Sequence, residues 1–295
     1  MKHAQKLSHF RGILAFLYIV INLSFWLIPV ILMSLIKLLF PLKRFQDLLS
    51  WLMGLVYNIA VWFDDILLFH IIGIRLEIRG VKKLYPEKFY LIIANHQSWN
   101  DIFILQHIFN WKAPIPKFLV KRELIYLPVV GLICLAYDFP FLRRGFTEGP
   151  KSAQDKIRGD SWTIEKALDK FRRYPASVVN LVEGTRFSDE KAKNQKSPFR
   201  YLMKPRAGGI TTILKFLGQE IHTILDVTIV YGCLRPNFWN FICGQCPRVI
   251  VEVKEYTQEE IPQANNLQAV ARWINAIWKK KDSEVALIRQ VLNKG

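Results

Sequence analysis

Acidic side chains are scarce in this 295-residue chain. Its 24 Asp and Glu stand against 41 Lys and Arg, a formal net charge of +17. That balance argues against an acid-rich, cation-binding protein and favours anionic partners: a lipid surface, phosphorylated small molecules or an acidic protein. Nucleic acid shares the same electrostatic preference. Cysteine is scarcer still, with four residues at positions 134, 233, 243 and 246. The step Cys243-Gly-Gln-Cys246 has half the spacing of a zinc site, and no second pair or nearby Cys/His completes it. The four are therefore read as free thiols in a reducing compartment, with no metal. No internal repeat or low-complexity tract interrupts the chain, which argues against a solenoid or a disordered tail.

Charge is absent altogether from Gly12 to Ile36, a run of 25 residues. A bilayer span needs roughly 20. The run is too long for a signal peptide and lacks the small-residue cleavage site, so it reads as a retained membrane helix, kinked at Pro29. A second apolar stretch, Leu48 to Phe63, has 16 uncharged residues and then meets Asp64-Asp65. A carboxylate pair is expensive at mid-bilayer depth, so this stretch reads as a short or interfacial helix with Trp51, Tyr57 and Trp62 at headgroup level. Cations flank both ends of the first run and leave its orientation open. Residues 1–75 hold seven basic and three acidic side chains, so +13 of the charge belongs to the remainder. Residues 1–75 are read as membrane-anchoring helices and 76–295 as a catalytic domain. With an anchor present, lipids and phosphorylated substrates are preferred and no nucleic-acid partner is expected.

Past residue 75 the periodicity changes. "LEIRG" (76–80) and "FYLIIA" (89–94) read as short strands around a turn with Pro86, and "KFLVK" (117–121) as another. "SWNDIFILQHIF" (98–109) has apolar residues at helical spacing, and 122–137 reads as a short helix broken by Pro128 and Gly131. "SWTIEKALDKFRRY" (161–174) is an amphipathic helix stopped before Pro175. The strand "SVVNLVEG" (177–184) precedes a lysine-rich loop and a helix at 208–218. Strands at 222–231 and 248–256 and a helix around 263–280 complete the pattern. Strands alternating with helices predict an α/β fold, a mixed or largely parallel sheet flanked by helices, with chemistry gathered at the carboxyl ends of the strands.

Two strand ends carry polar clusters. His96 follows the strand 89–94, and Asp101 falls one turn into the next helix. A carboxylate on one ring nitrogen fixes the tautomer, leaves the other nitrogen as a base and stabilises the imidazolium. The same residues have a plainer reading: Ser98-Trp-Asn-Asp101 matches a capping box, which would spend Asp101 on a helix start. The second cluster is Glu183-Gly184-Thr185-Arg186, where glycine admits close backbone approach and arginine offers a planar fork to phosphate. The loop after it, 188–206, carries Lys191, Lys193, Lys196, Arg200, Lys204 and Arg206. It reads either as a solvated, mobile loop or as a basic flap over anionic lipid or an acidic carrier.

"NHQSWND" followed some 80 residues later by "VEGTRFS" resembles the glycerolipid acyltransferase family, which includes the 1-acyl-glycerol-3-phosphate acyltransferases and carries a His-x4-Asp and a Glu-Gly-Thr-Arg block. With "KRELIYLPVVG" (121–131), "FLRR" (141–144), "KPRAGG" (204–209) and "LDVTIVY" (225–231), the pattern is most similar to a YihG-like bacterial branch. It departs in two places. Arg143 stands where an acid is usual, and Leu181-Val182 where Phe-Pro often precedes the third block. The resemblance implies His96 as general base and Asp101 as its orienting carboxylate. It also implies Lys121, Arg144, Glu183, Gly184, Thr185 and Arg186 as substrate-binding residues. It implies direct transfer of an acyl group to a lysophosphatidic-acid-type acceptor from acyl-CoA or acyl carrier protein, with no cofactor and membrane lipids as partners. Another lysophospholipid as acceptor, or a non-catalytic basic membrane protein, are the alternatives. The expected location is the inner membrane, with the catalytic domain on its cytoplasmic face.

Overall fold

The computed structural model of the protein describes residues 2–142, 171, 174–263 and 266–294. Two long helices open the chain, α1 (Lys2–Leu39) and α2 (Lys43–Asp65), and α2 runs on into a π-helical turn at Ile66–Ile71. By length and composition, Lys6–Leu39 and Lys43–Ile71 are each long and apolar enough to cross a membrane. Helix α1 continues through Pro29. Its outward face shows Phe10, Leu14, Leu17, Ile21, Phe25 and Leu32, each 45% exposed or more, a stripe at helical spacing. The two helices are pinned to each other by polar contacts: Asn22 donates to the Ala60 carbonyl at 3.0 Å and to Asp64 Oδ1 at 2.9 Å, and the Tyr18 hydroxyl donates to the Phe63 carbonyl.

The inward stripe of α2 is Leu49, Met53, Tyr57, Val61 and Asp64. This corrects the expected headgroup belt. Trp51 and Trp62 do face outward, but Tyr57 falls on the stripe, is buried edge-on against Tyr137 and accepts a hydrogen bond from Gln106. Further along, Tyr137 donates to the Met53 carbonyl, Asn110 to the Asn58 carbonyl, and His107 pairs with Asp65 at 3.0 Å. Helix α2 is thus docked on the rest of the protein over most of its length.

The following elements are β1 (Arg75–Arg79), β2 (Phe89–Ala94), α3 (Asn100–Phe109), β3 (Pro116–Phe118), β4 (Val120–Lys121), α4 (Pro128–Ala136), β5 (Phe141–Leu142) and β6 (Ser177–Leu181). After them come α5 (Asp189–Asn194), α6 (Ala207–Leu217), β7 (Ile221–Tyr231), α7 (Phe238–Ile242), β8 (Arg248–Thr257) and α8 (Leu267–Lys294). Six strands form one sheet in the order β1-β8-β7-β2-β6-β3, parallel throughout except at the antiparallel β7–β8 pair. The mixed, mostly parallel sheet agrees with the expectation. The parallel centre reads as near-continuous apolar runs because both faces are covered. On one face α1 to α4 pack over Ile92, Ala94, Leu225, Val227 and Ile229, and on the other α6 and α8 pack over Leu91, Ile93, Val178 and Ile224.

Three local expectations change. Strands β1 and β2 do not pair with each other: β1 lies at the sheet edge on β8, two strands away from β2. The stretch 117–121 divides between β3 in the main sheet and β4, which pairs with β5 in a separate two-stranded sheet. Cys233 and Cys246 form a disulfide, because the antiparallel register Tyr231↔Val249 brings their Cα atoms to 5.3 Å. They are therefore not free thiols, and the reducing compartment inferred from them loses its support. Cys134 and Cys243 are free and buried. The helix expected at 161–174 lies mostly outside the described residues.

Gly131 does not break α4; it lies inside the helix and is buried. Glycine is required there because a Cβ would sit 2.2 Å from the Ile125 carbonyl oxygen, backbone that cannot step aside cheaply. Gly131→Ala is expected to cost about 1–3 kcal/mol. The readout is the midpoint of chemical unfolding at unchanged slope, and an unchanged midpoint would show that the turn Arg122–Tyr126 yields freely.

Candidate active site

The register Ala94↔Leu181 sets the carboxyl ends of β2 and β6 side by side, and β7 extends past Val227, the partner of Ala94, as far as Tyr231. Both polar clusters therefore leave the sheet at one edge. They are joined directly: the Phe187 amide donates to the His96 carbonyl at 2.8 Å, and the Val182 amide to the Ala94 carbonyl at 3.2 Å. Asn95, buried, holds the turn from below by exchanging two hydrogen bonds with the backbone of Ile229.

His96 Nδ1 lies 2.8 Å from Asp101 Oδ2. The same oxygen accepts the Gln97 amide at 2.7 Å and the Ser98 amide at 3.0 Å, while Oδ1 accepts the Tyr231 hydroxyl at 2.7 Å. Asp101 has no exposed surface, and the His96 side chain retains 15%. The geometry of the orienting reading is present and that of the capping reading only in part, since one carboxylate oxygen meets the imidazole and the amides of the turn that precedes α3. The box itself is half formed: Asp101 accepts the Ser98 amide, whereas Ser98 Oγ faces the Asn100 amide at 3.4 Å. With Nδ1 committed to Asp101, Nε2 is the nitrogen left for a substrate proton. Tyr231 had no signal in the sequence beyond its place at a strand end. Burial and the nearby Asp101 charge push its hydroxyl well above the ordinary phenol range, so it stays a donor to the carboxylate.

Gly184 adopts φ +64°, and a Cβ there would touch the Arg206 side chain at 3.3 Å, so this turn calls for glycine. Beyond it, Arg186 lies exposed over the Trp99 ring at 5.3 Å, one residue before Phe187, whose amide meets the His96 carbonyl. Lys191 reaches back to Thr185 Oγ1 at 3.1 Å and the Arg186 carbonyl at 3.4 Å. Glu183, expected to touch substrate, has no exposed surface and lies beneath the loop. Its position immediately after β6 turns it inward, so in this conformation it supports the loop and presents no atom to solvent. Lys121 is exposed on the small β4–β5 sheet, apart from this cluster. Arg144 lies outside the described residues. Among the described residues, no group of three or more His, Cys, Asp and Glu side chains is placed to hold a metal ion.

The basic segment after this turn is folded. Ser188 caps α5, Leu202 and Met203 are fully buried, and the amides of Arg200 and Tyr201 donate to Asp282 of α8 at 3.1 and 2.8 Å. Desolvation drives the Glu183 carboxyl well above its ordinary value, opposed by the Met203 amide, the Trp278 indole and Lys281. A carboxyl raised in the folded state stabilises the fold fully below its unfolded value, and that contribution is lost as pH rises. Glu183→Gln removes the loss. The difference in melting temperature between Glu183→Gln and the parent should therefore grow in favour of the variant from about pH 5 to about pH 8. A difference independent of pH would show that Glu183 titrates normally.

Residues 75–232, more than half of the chain, match the model of a family described as Acyltransferase. The mouse 1-acyl-sn-glycerol-3-phosphate acyltransferase gamma is 26% identical over 185 residues, covering 59% of this chain and 46% of the mouse protein. A yeast 2-acyl-1-lysophosphatidylinositol acyltransferase (Saccharomyces cerevisiae) is 24% identical over 242 residues, covering 65% and 59% respectively. The chain thus spans about half the length of the curated relatives that it matches. The crystal structure of the 1-acyl-sn-glycerophosphate (LPA) acyltransferase, PlsC, from Thermotoga maritima superposes with a TM-score of 0.56 at 14% identity, covering 95% of this chain and 98% of that one. That likeness concerns the fold, and it includes the two leading helices as well as the sheet. With the His96–Asp101 pair and the Glu183–Arg186 turn both inside the matched residues, the chain belongs to the acyltransferase family that includes the 1-acyl-glycerol-3-phosphate acyltransferases.

Proposed function

We propose that the protein is a membrane-bound O-acyltransferase that moves a fatty acyl group from acyl-CoA or acyl carrier protein to the free hydroxyl of a lysophosphatidic-acid-type acceptor, giving phosphatidic acid. The observation that carries this reading is the His96 imidazole held at 2.8 Å by a buried Asp101, with the Arg186 turn hydrogen-bonded to its backbone. His96 Nε2 takes the acceptor hydroxyl proton as the oxygen attacks the thioester carbonyl. The tetrahedral intermediate then expels the thiolate, and the imidazolium returns the proton to sulfur. Asp101 stabilises that imidazolium and keeps the tautomer fixed. No serine or cysteine is placed against His96 among the described contacts, which favours direct transfer without an acyl-enzyme. Arg186, and in this reading Lys121 and Arg144 with it, meets the acceptor phosphate.

The apolar outer face of α1 and the exposed Trp51 and Trp62 would hold this edge at a bilayer, where acceptor and product reside. We place the membrane as the inner membrane, with the domain on its cytoplasmic face and a water-soluble acyl donor arriving from that side. The charge of +17 suits an anionic leaflet and an acidic carrier alike. Another lysophospholipid as acceptor is the second reading, supported by the name of the yeast relative.

The test supplies protein in liposomes with acyl-CoA or acyl carrier protein and a panel of lysolipids. His96→Ala should lower kcat by about 10²–10⁴-fold while the melting temperature is kept. Transfer that persists in this variant, or is absent from the parent with every donor, would remove the enzyme reading. Arg186→Ala should raise the KM for the acceptor by about tenfold or more and leave donor binding intact, as loss of a charge-assisted phosphate contact requires. A collapse of donor binding instead would reassign Arg186 to the donor.

A further inference from the structure

The family match ends at residue 232, yet the polar edge of the sheet is completed from beyond it. Lys281 of α8 is 1% exposed, lies 2.6 Å from Asp226 Oδ1 and donates to the Val227 carbonyl at 2.8 Å. Asp226 and Val227 are the β7 partners of Ile93 and Ala94, the residues that lead into His96. Four residues further along β7, Tyr231 holds Asp101. Three carboxyl groups are buried at this edge: Asp101, Glu183 and Asp226. A buried carboxylate needs a cation or hydrogen bonds of its own; Asp101 has the amides of Gln97 and Ser98 and the Tyr231 hydroxyl, and Asp226 has Lys281. The next residue, Asp282, accepts the Arg200 and Tyr201 amides in the segment that follows the Glu183 turn.

We propose that Lys281 is a positioning residue for the acyl transfer: from the C-terminal helix it clamps β7, through Asp226 and the Val227 carbonyl, against the end of β2 that leads into His96, while its neighbour Asp282 holds the segment that follows the Gly184–Arg186 turn. The proposal rests on the acyltransferase reading for its kinetic consequence but not for its structural one. Lys281 touches neither substrate nor His96. It fixes the neighbouring strand ends from which the His96 and Arg186 turns leave.

Lys281→Met alone leaves Asp226 uncompensated and is expected to lower stability, so the decisive protein is the double variant Lys281→Met/Asp226→Asn, from which the pair is removed as a unit. In liposomes the double variant should melt within a few degrees of the parent, yet show an acceptor KM raised about tenfold with donor KM unchanged. Hydrogen exchange at the amides of Gly184 and Phe187, which bond Leu181 and His96, should be about tenfold faster in it. Parent-like exchange in a double variant of parent-like stability overturns the proposal, whatever the activity. Accelerated exchange with an unchanged acceptor KM overturns its catalytic part. If the parent transfers no acyl group while exchange still accelerates, the structural role stands and the acyltransferase reading fails by itself.

Discussion

The carboxylate of Asp101 is the point on which the catalytic edge depends. Fully buried, it accepts hydrogen bonds from the Gln97 and Ser98 amides and the Tyr231 hydroxyl, and meets the His96 ring. A buried carboxylate is tolerated only when its oxygens are satisfied. Here the groups that satisfy it come from the end of β2, the start of α3 and the end of β7. One side chain therefore closes the strand-to-helix turn, fixes the His96 ring and ties both to a strand 130 residues away. In the reaction proposed above, that rigidity would lower the reorganisation needed as charge develops on the imidazole.

The two strand-end clusters read correctly as neighbours because their signal is local. Apolar runs end at Ala94 and Leu181, and turn-forming polar residues follow. What the sequence hid is non-local. Tyr231, Asp226 and Lys281 acquire meaning only when β7 lies beside β2 and α8 folds across them, and nothing in their own surroundings marks them. The Cys233–Cys246 bridge likewise depends on the antiparallel return of β8 and not on the suggestive Cys-Gly-Gln-Cys spacing, which pairs the wrong residues. Glu183 shows the limit of reading a motif as a list of contacts, since one residue of four faces the core while Arg186 faces outward. Strand pairing order was hidden for a further reason: β1 and β2 are consecutive and similar in composition, and only the packing decides that β8 and β7 come between them.

Charge in this protein is sorted by depth. The positive excess is on the surface and in the segment after the Glu183 turn, while the carboxylates at the catalytic edge are withdrawn from solvent. The anionic acceptor proposed above would benefit from that sorting. Arg186 and the neighbouring Lys191 present positive potential outward, and Asp101 is fully buried behind His96. In the reaction proposed above, the carboxylate that orients His96 would therefore not repel the acceptor.

The two leading helices and the candidate site share one core, and this constrains how one can move relative to the other. Helix α3 carries Asp101 in its first turn and ends against α2, where Gln106 meets Tyr57, His107 meets Asp65 and Asn110 meets the Asn58 carbonyl. Met53, Tyr57 and Val61 of α2 belong to the same hydrophobic cluster as Ile104, Leu105 and Ile108 of α3 and Ile92 of β2. A tether joined by a flexible linker would leave the orientation of the site to chance. A helix packed on α3 instead transmits its own tilt to the His96–Asp101 pair, because close-packed cores transmit displacement. The apolar face that α1 and α2 turn outward is thus held at a fixed angle to His96, which in the reaction proposed above would set how the imidazole meets an acceptor hydroxyl.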